Sequence, residues 1–140
     1  MRLNIEAMER VVWQVGRNQI DPELKKLRLD LVVPSFRSFM TAGIGHAYGQ
    51  PGGFLLAMHN YDVFNGRLKA YEFLFMVDPK FKKPNTATKL LKEFEDGARA
   101  AGCETTVVGA HVGFSEWKTL ERYYRMKGYS FLSESMQKIL

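Results

Sequence analysis

Cysteine is almost missing from this 140-residue chain: Cys103 is the only one. No intrachain disulfide can form, and a reducing compartment suits the sequence. His46 and His59 do not stand at metal-ligand spacing with Cys103, so no metal is expected. Long hydrophobic runs are missing too. "FLLAM" and "FLFMV" fall far short of the roughly 20 residues that cross a bilayer. The first residues, "MRLNIEAMERVVWQV", set charges among their apolar positions, unlike a signal peptide. These absences predict a cytoplasmic protein with no membrane partner. No internal repeat or low-complexity tract is visible.

What is present is an ordinary globular mixture, 46% apolar and 25% charged, with a formal charge of +5. That length and composition predict one domain over residues 1–140. The positive balance admits nucleic acid, anionic lipid or a phosphorylated small molecule as partner, or only a solvated surface. No basic face interleaved with aromatics and no recognition motif is found, which argues against nucleic acid. Most basic residues are dispersed among acids. Lys80, Lys82 and Lys83 are the exception, clustered directly before a helix.

Along the chain, Ile5, Met8, Val11, Val12 and Val15 recur at helical spacing. A second helix is expected from Asp21-Pro22 to near Pro34, since aspartate caps and proline suits the first helical position. "TAGIGHAYGQPGG" reads as loop with room for a short central strand. The runs "FLLAMHNYDVF" and "RLKAYEFLFMV" flank Asn65-Gly66, a tight-turn signal that predicts an antiparallel hairpin. A helix then starts at Asn85 or Thr86, with Ala87, Leu90, Leu91, Phe94, Ala98 and Ala101 on one stripe and Gly102 as its left-handed cap. "TTVVGAHV" reads as a strand, Ser115 to Lys127 as a helix with Trp117, Leu120 and Tyr124 on one side, and "YSFLSESMQKIL" as a last strand. Strands alternating with helices predict a mixed sheet covered by helices.

The segment "VDPKFKKPNTATKLLKEFEDGARAAG" carries the first functional signal. The opening amides of a helix lack internal partners and sit at the positive end of the macrodipole. With lysines beside them they can hold phosphate, or form an ordinary strand-to-helix turn with solvated lysines. Glu72 carries the second, a carboxylate inside an apolar strand. It is either exposed where the strand is solvated, or buried with its pKa raised toward a useful base.

Together with "ERYYRMKGYSFLSESMQKIL", that segment resembles the GNAT family, the Gcn5-related N-acetyltransferases, especially small single-domain bacterial and bacteriophage members. Val77 and Pro79 match the end of the family's fourth strand. Lys82 stands where Arg or Gln is usual, Asn85 where a glycine is usual, and Ala87 in the final small position. Tyr124, Gly128 and Tyr129 match the later Tyr-x-x-x-Gly-aromatic pattern. The resemblance spans roughly Phe54 to Leu140. Pro84 and Asn85 depart from it, one by removing an amide and the other by replacing glycine.

The resemblance implies an α/β (α+β) acyl-CoA N-acyltransferase fold. Its mixed, mostly antiparallel sheet splays between strands four and five and is flanked by helices. It implies acetyl-CoA as co-substrate and a primary amine, on a small molecule or a protein, as acceptor. Lys82, Lys83, Asn85, Thr86, Ala87 and Thr88 would bind the pyrophosphate. Backbone at Met76 or Val77 would receive the pantetheine arm and the developing oxyanion. Tyr124 would be the general acid or a core tyrosine, with Tyr123 facing elsewhere. Glu72 would be the base, directly or through water, with His111 as substitute. Residues 20 to 53 would shape the acceptor pocket, where Phe36, Phe39 and Tyr48 either line it or pack the core. Family members often pair, so a homodimer fits; if a phage encodes the chain, the cytoplasm is its host's. The alternative is a non-catalytic protein of this fold that binds coenzyme A or a protein partner.

Overall fold

A computed structural model describes residues 4–16, 28–81, 85–109, 117–132, 136 and 138–140. In order these form α1 (Ile5–Gly16), α2 (Leu29–Thr41), β1 (Gly45–Gln50), β2 (Gly53–Tyr61), β3 (Leu68–Val77), a 3-10 turn (Pro79–Phe81), α3 (Thr86–Ala100), β4 (Thr105–Val107) and α4 (Trp117–Met126). The strands make one sheet in the order β1-β2-β3-β4. The first three are antiparallel, and β4 joins β3 in parallel.

Alternation of side chains across the pleat gives the sheet two apolar faces. Phe54, Leu56 and Met76 pack under α1 and α2 with Met8, Val11, Leu29, Val33 and Phe36. Leu55, Ala57 and Ala70 pack on the opposite face under Leu90, Leu91, Phe94 and Ala98 of α3 and Tyr124 of α4. The α3 stripe is as expected, except that Ala87 is only half-buried and Ala101 is exposed. Gly102 takes the left-handed conformation that ends the helix, with φ +85°.

Four expectations change or are refined. The second helix does not end near Pro34; it runs through that proline to Thr41. Proline forfeits one amide bond, but the apolar stripe of Val33, Phe36, Phe39 and Met40 continues past it into the core. Its expected start at Asp21-Pro22 lies outside the described residues. The glycine-rich stretch, read as loop with room for a short central strand, holds that strand as β1 over 6 residues, registered on β2 from Gly45↔Met58 to Gln50↔Gly53. Its turn needs Gly52, whose φ is +77°; the Phe81 ring fills the place a Cβ would take.

The third is at the hairpin. β2 and β3 pair as expected, but only Gly66 of the Asn-Gly pair has positive φ. The connection is a longer loop in which the Asp62 N–H donates to Arg67 O at 2.8 Å and the Asp62 carboxylate accepts the Phe64 N–H at 2.7 Å. Finally, Tyr129, Ser130, Phe131 and Leu132 belong to no strand. β4 is 3 residues long and offers little ladder for a further strand, and Phe131 and Leu132 stay exposed.

Candidate active site at the opening of the sheet

The two edges of β3 behave differently. Toward β2 it is paired from Leu68 to Val77. Toward β4 it pairs only at Lys69↔Thr105, Ala70↔Thr106 and Tyr71↔Val107. Beyond Tyr71 the strands part. The edge of β3 from Glu72 to Val77 therefore has no strand partner among the described residues.

Glu72 sits at the fork. It is partly buried, and the Gly109 N–H, just past the last rung of β4, donates to its carboxylate. Burial pushes the Glu72 carboxyl up to about 7, with the Gly109 N–H pulling partly the other way. A carboxyl held near neutrality can take and release a proton under ordinary conditions.

Tyr124 comes to the same place from α4. It is 5% exposed, and its hydroxyl has no hydrogen-bond partner among the described residues. Burial first, then the charges of Glu72 and of the Tyr129 and Tyr123 hydroxyls when ionised, push its phenol up. A buried hydroxyl without a partner is costly, and here it lies within the field of the Glu72 carboxylate. Tyr123 faces elsewhere, as expected. Its hydroxyl meets the Thr88 hydroxyl at 2.8 Å, tying α4 to the first turn of α3. Tyr129 is fixed by a 2.8 Å bond to Thr106.

The backbone separates Met76 from Val77. The Asp78 N–H donates to Gly52 O at 2.7 Å, so alternation along an antiparallel ladder also turns the amide and carbonyl of Met76 toward β2. Those of Phe75 and Val77 turn to the open edge. Thr86 does not present its side chain: it is buried against Gly53, where a Cβ would lie 2.8 Å from Thr86 Cγ2. Asn85 precedes α3 in the left-handed conformation, φ 62°, ψ 38°, and makes no side-chain cap. The first helical amides lie at the positive end of the α3 dipole. Lys80 is exposed on the 3-10 turn, while Lys82, Lys83, Pro84 and His111 lie outside the described residues.

Tyr48 and Phe36 are core. The Tyr48 hydroxyl fits under Gly97 of α3, where a Cβ would meet it at 2.1 Å, and Phe36 is fully buried. Cys103 packs against the α3 cluster, its thiol pushed up by burial. His46 and His59 stack, centroids 3.9 Å apart. Among the described residues no cluster of His, Cys, Asp and Glu could hold a metal, and no helix is long and apolar enough to cross a membrane.

Sequence reasoning missed one feature of β3. Leu56 pairs with Leu74 and Ala57 with Glu72, so Phe73 is an extra residue, a β-bulge. Phe73 and Leu74 consequently face the same side, that of α2. In an apolar run such as "FLFMV" no side-chain alternation marks the slip.

Solved structures share this fold. Glucosamine-6-phosphate N-acetyltransferase from Arabidopsis thaliana superposes with a TM-score of 0.64 at 15% identity, over 99% of this chain and 95% of that one. The aminoglycoside N-acetyltransferase AAC(6')-Iy, in complex with a bisubstrate analogue of coenzyme A, gives 0.70 at 14% identity, over 97% and 90%. This chain has the GNAT fold. A transcriptional regulator from Bacillus halodurans C-125 also matches, with a TM-score of 0.73 at 14% identity over 100% of this chain and 97% of the other. No family model matches the sequence, and no curated protein does. In GNAT terms, β3 and β4 are the strands expected as four and five, and their parting is the expected splay.

Proposed function

We propose that this chain is an acetyl-CoA-dependent N-acetyltransferase that passes the acetyl group to a primary amine by direct attack in a ternary complex. The observation that carries the reading is the nearness of Glu72 and Tyr124 at the fork, one a carboxyl poised near 7 and the other a buried phenol, under the Glu72 charge, with no hydrogen-bond partner among the described residues. The unpaired edge of β3 fits a pantetheine arm, which needs strand-like hydrogen bonds along one side.

In this reading the thioester lies along the open edge with its carbonyl oxygen toward the Val77 amide, which stabilises the developing oxyanion. Met76, whose backbone serves β2, supports the strand from below. Glu72 takes the proton from the amine, directly or through water, as the C–N bond forms. Tyr124 gives its proton to sulfur as the C–S bond breaks. The amides of Asn85, Thr86, Ala87 and Thr88, with Lys82 and Lys83, hold the pyrophosphate. Pro84 supplies no amide, so the lysines carry more of the attraction than in a glycine-rich loop.

A second reading is favoured by the match to a transcriptional regulator together with Pro84 and Asn85 in the loop: a GNAT-fold protein that binds coenzyme A or a protein partner without turnover. Thermal unfolding with acetyl-CoA, coenzyme A and duplex DNA, followed by an amine panel assayed for thiol release, separates the two. Saturating acetyl-CoA at about 100 times its Kd should add roughly 2.7 kcal/mol of stability. Stabilisation with acetylation supports the enzyme; stabilisation without it supports the coenzyme A binder; no response to either nucleotide removes both of these and leaves only a protein partner.

A further inference from the structure

Tyr123 and Tyr124 are neighbours on α4, about 100° apart around the helix, and they lead in different directions. Tyr124 is buried beside the fork, and its hydroxyl meets no hydrogen-bond partner among the described residues. Tyr123 reaches across to α3, where its hydroxyl and that of Thr88 lie 2.8 Å apart in a part-buried position. The two rings stay in contact, centroids 6.0 Å apart at 55°.

α4 has a narrow hold on the body of the protein. Leu120 and Tyr123 are half-buried and Tyr124 is buried, whereas Lys118, Arg122, Arg125 and Met126 are exposed. A helix of 10 residues resting on so few side chains turns easily about its axis unless a directional contact sets its phase. Apolar burial is non-directional, while a hydrogen bond weakens steeply once its geometry is lost. The bond between Thr88 and Tyr123 supplies that contact. Because Tyr124 has no bond of its own to hold it, its phenol points where the phase of α4 sends it.

Thr88 also lies in the first turn of α3, which begins at Thr86. The reading above gives the amides of that turn to the pyrophosphate. One hydroxyl pair thus joins the helix end that would grip the cofactor to the helix that carries the acid for its sulfur.

Resting on the acetyltransferase reading, we propose that Tyr123 is a positioning residue for Tyr124. Through Thr88 it registers α4 on the cofactor-binding turn of α3 and so aims the Tyr124 hydroxyl at the sulfur of coenzyme A. Tyr123 transfers no proton; its hydroxyl is committed to Thr88.

The test saturates the full chain with coenzyme A and follows ionisation of the bound thiol by thiolate absorbance, with the desulfo-coenzyme A complex as blank. A hydroxyl that donates to the thiolate favours the charged form. Tyr124→Phe should therefore raise the pKa of the bound thiol by about one unit, the scale of one hydrogen bond to a charged group. Tyr123→Phe keeps the ring and removes the bond, and Thr88→Val removes the same bond from the α3 side at almost unchanged size. Each should raise the bound thiol by about half a unit, the scale of one neutral hydrogen bond, and neither should add to Tyr124→Phe in a double variant. Saturation keeps any change of affinity at Thr88 out of the reading. A bond that only stabilises the fold would lower Tm and leave the thiol at the parent value. That result in either variant, or a further rise on the Tyr124→Phe background, overturns the positioning role while the acetyltransferase reading stands. A thiol unmoved by Tyr124→Phe removes the acid that Tyr123 would position, and no binding of coenzyme A removes the acetyltransferase reading itself; either one ends the proposal.

Discussion

β3 is paired along one edge and largely open along the other. Toward β2 it is paired from Leu68 to Val77 with one bulge at Phe73, and Phe54, Leu55, Leu56, Ala57, Ala70 and Met76 of that ladder are buried. Toward β4 it is paired at three positions and then open. Near the open side stand a half-buried carboxyl, an exposed phenylalanine and a phenol with no hydrogen-bond partner among the described residues, while the paired side has the buried His46 and His59 Nε2 atoms, also without partners among the described residues. A sheet that closed fully along both edges would be more stable and would have no room for a thioester.

The largest contrast is in core truncation. Phe94→Ala, beneath the paired half, removes a fully buried ring and should cost about 3–5 kcal/mol in urea unfolding. A loss below about 1 kcal/mol would mean that α3 does not seal this face.

On the open side the sign reverses for Glu72→Gln. The carboxyl titrates near 4.5 when unfolded and about 7 in the fold, so the unfolded chain releases its proton first. Stability falls as pH rises between those values, by about 3 kcal/mol at most. The glutamine variant should therefore be more stable than the parent at pH 8 and equal to it at pH 4. It should also lose the rise in kcat/KM that the parent shows through pH 7. Melting curves at the two pH values check the first, and a pH-rate profile the second.

Tyr124→Phe should slow acetyl transfer by about 100-fold with the acetyl-CoA Kd held; an unchanged rate would reduce Tyr124 to core packing. Asn85→Gly should add about 1 kcal/mol, because glycine adopts the left-handed conformation without the Cβ contact. On the paired side, burial and then the His46 charge lower the His59 pKa. The unfolded chain then takes the proton first, so stability declines as pH falls below the ordinary histidine range. His59→Gln should flatten that acid limb by a smaller amount than any change above.

Periodicity made the paired half legible. The α3 stripe, the β2–β3 hairpin and the α1 face follow from apolar spacing, which burial enforces. Pro34 misled because local propensity yields to an apolar face that continues beyond it, and β1 was legible only as room for a short strand among glycines, because its partner β2 supplies the order. At the candidate site, Glu72 stood out as a charge in an apolar strand and Tyr124 through the Tyr-Gly-Tyr resemblance. The Phe73 bulge and the choice between Met76 and Val77 left no mark, since one is a register slip within apolar residues and the other a matter of backbone direction.

Residue-resolved hydrogen exchange along β3 tests the central claim most directly. The Met76 amide, committed to β2, should exchange slowly with or without acetyl-CoA, while the Val77 amide should exchange fast alone and become protected when acetyl-CoA is added. Equal protection of both amides in the free protein, or a Val77 rate that acetyl-CoA leaves unchanged, would contradict an open edge that receives the thioester.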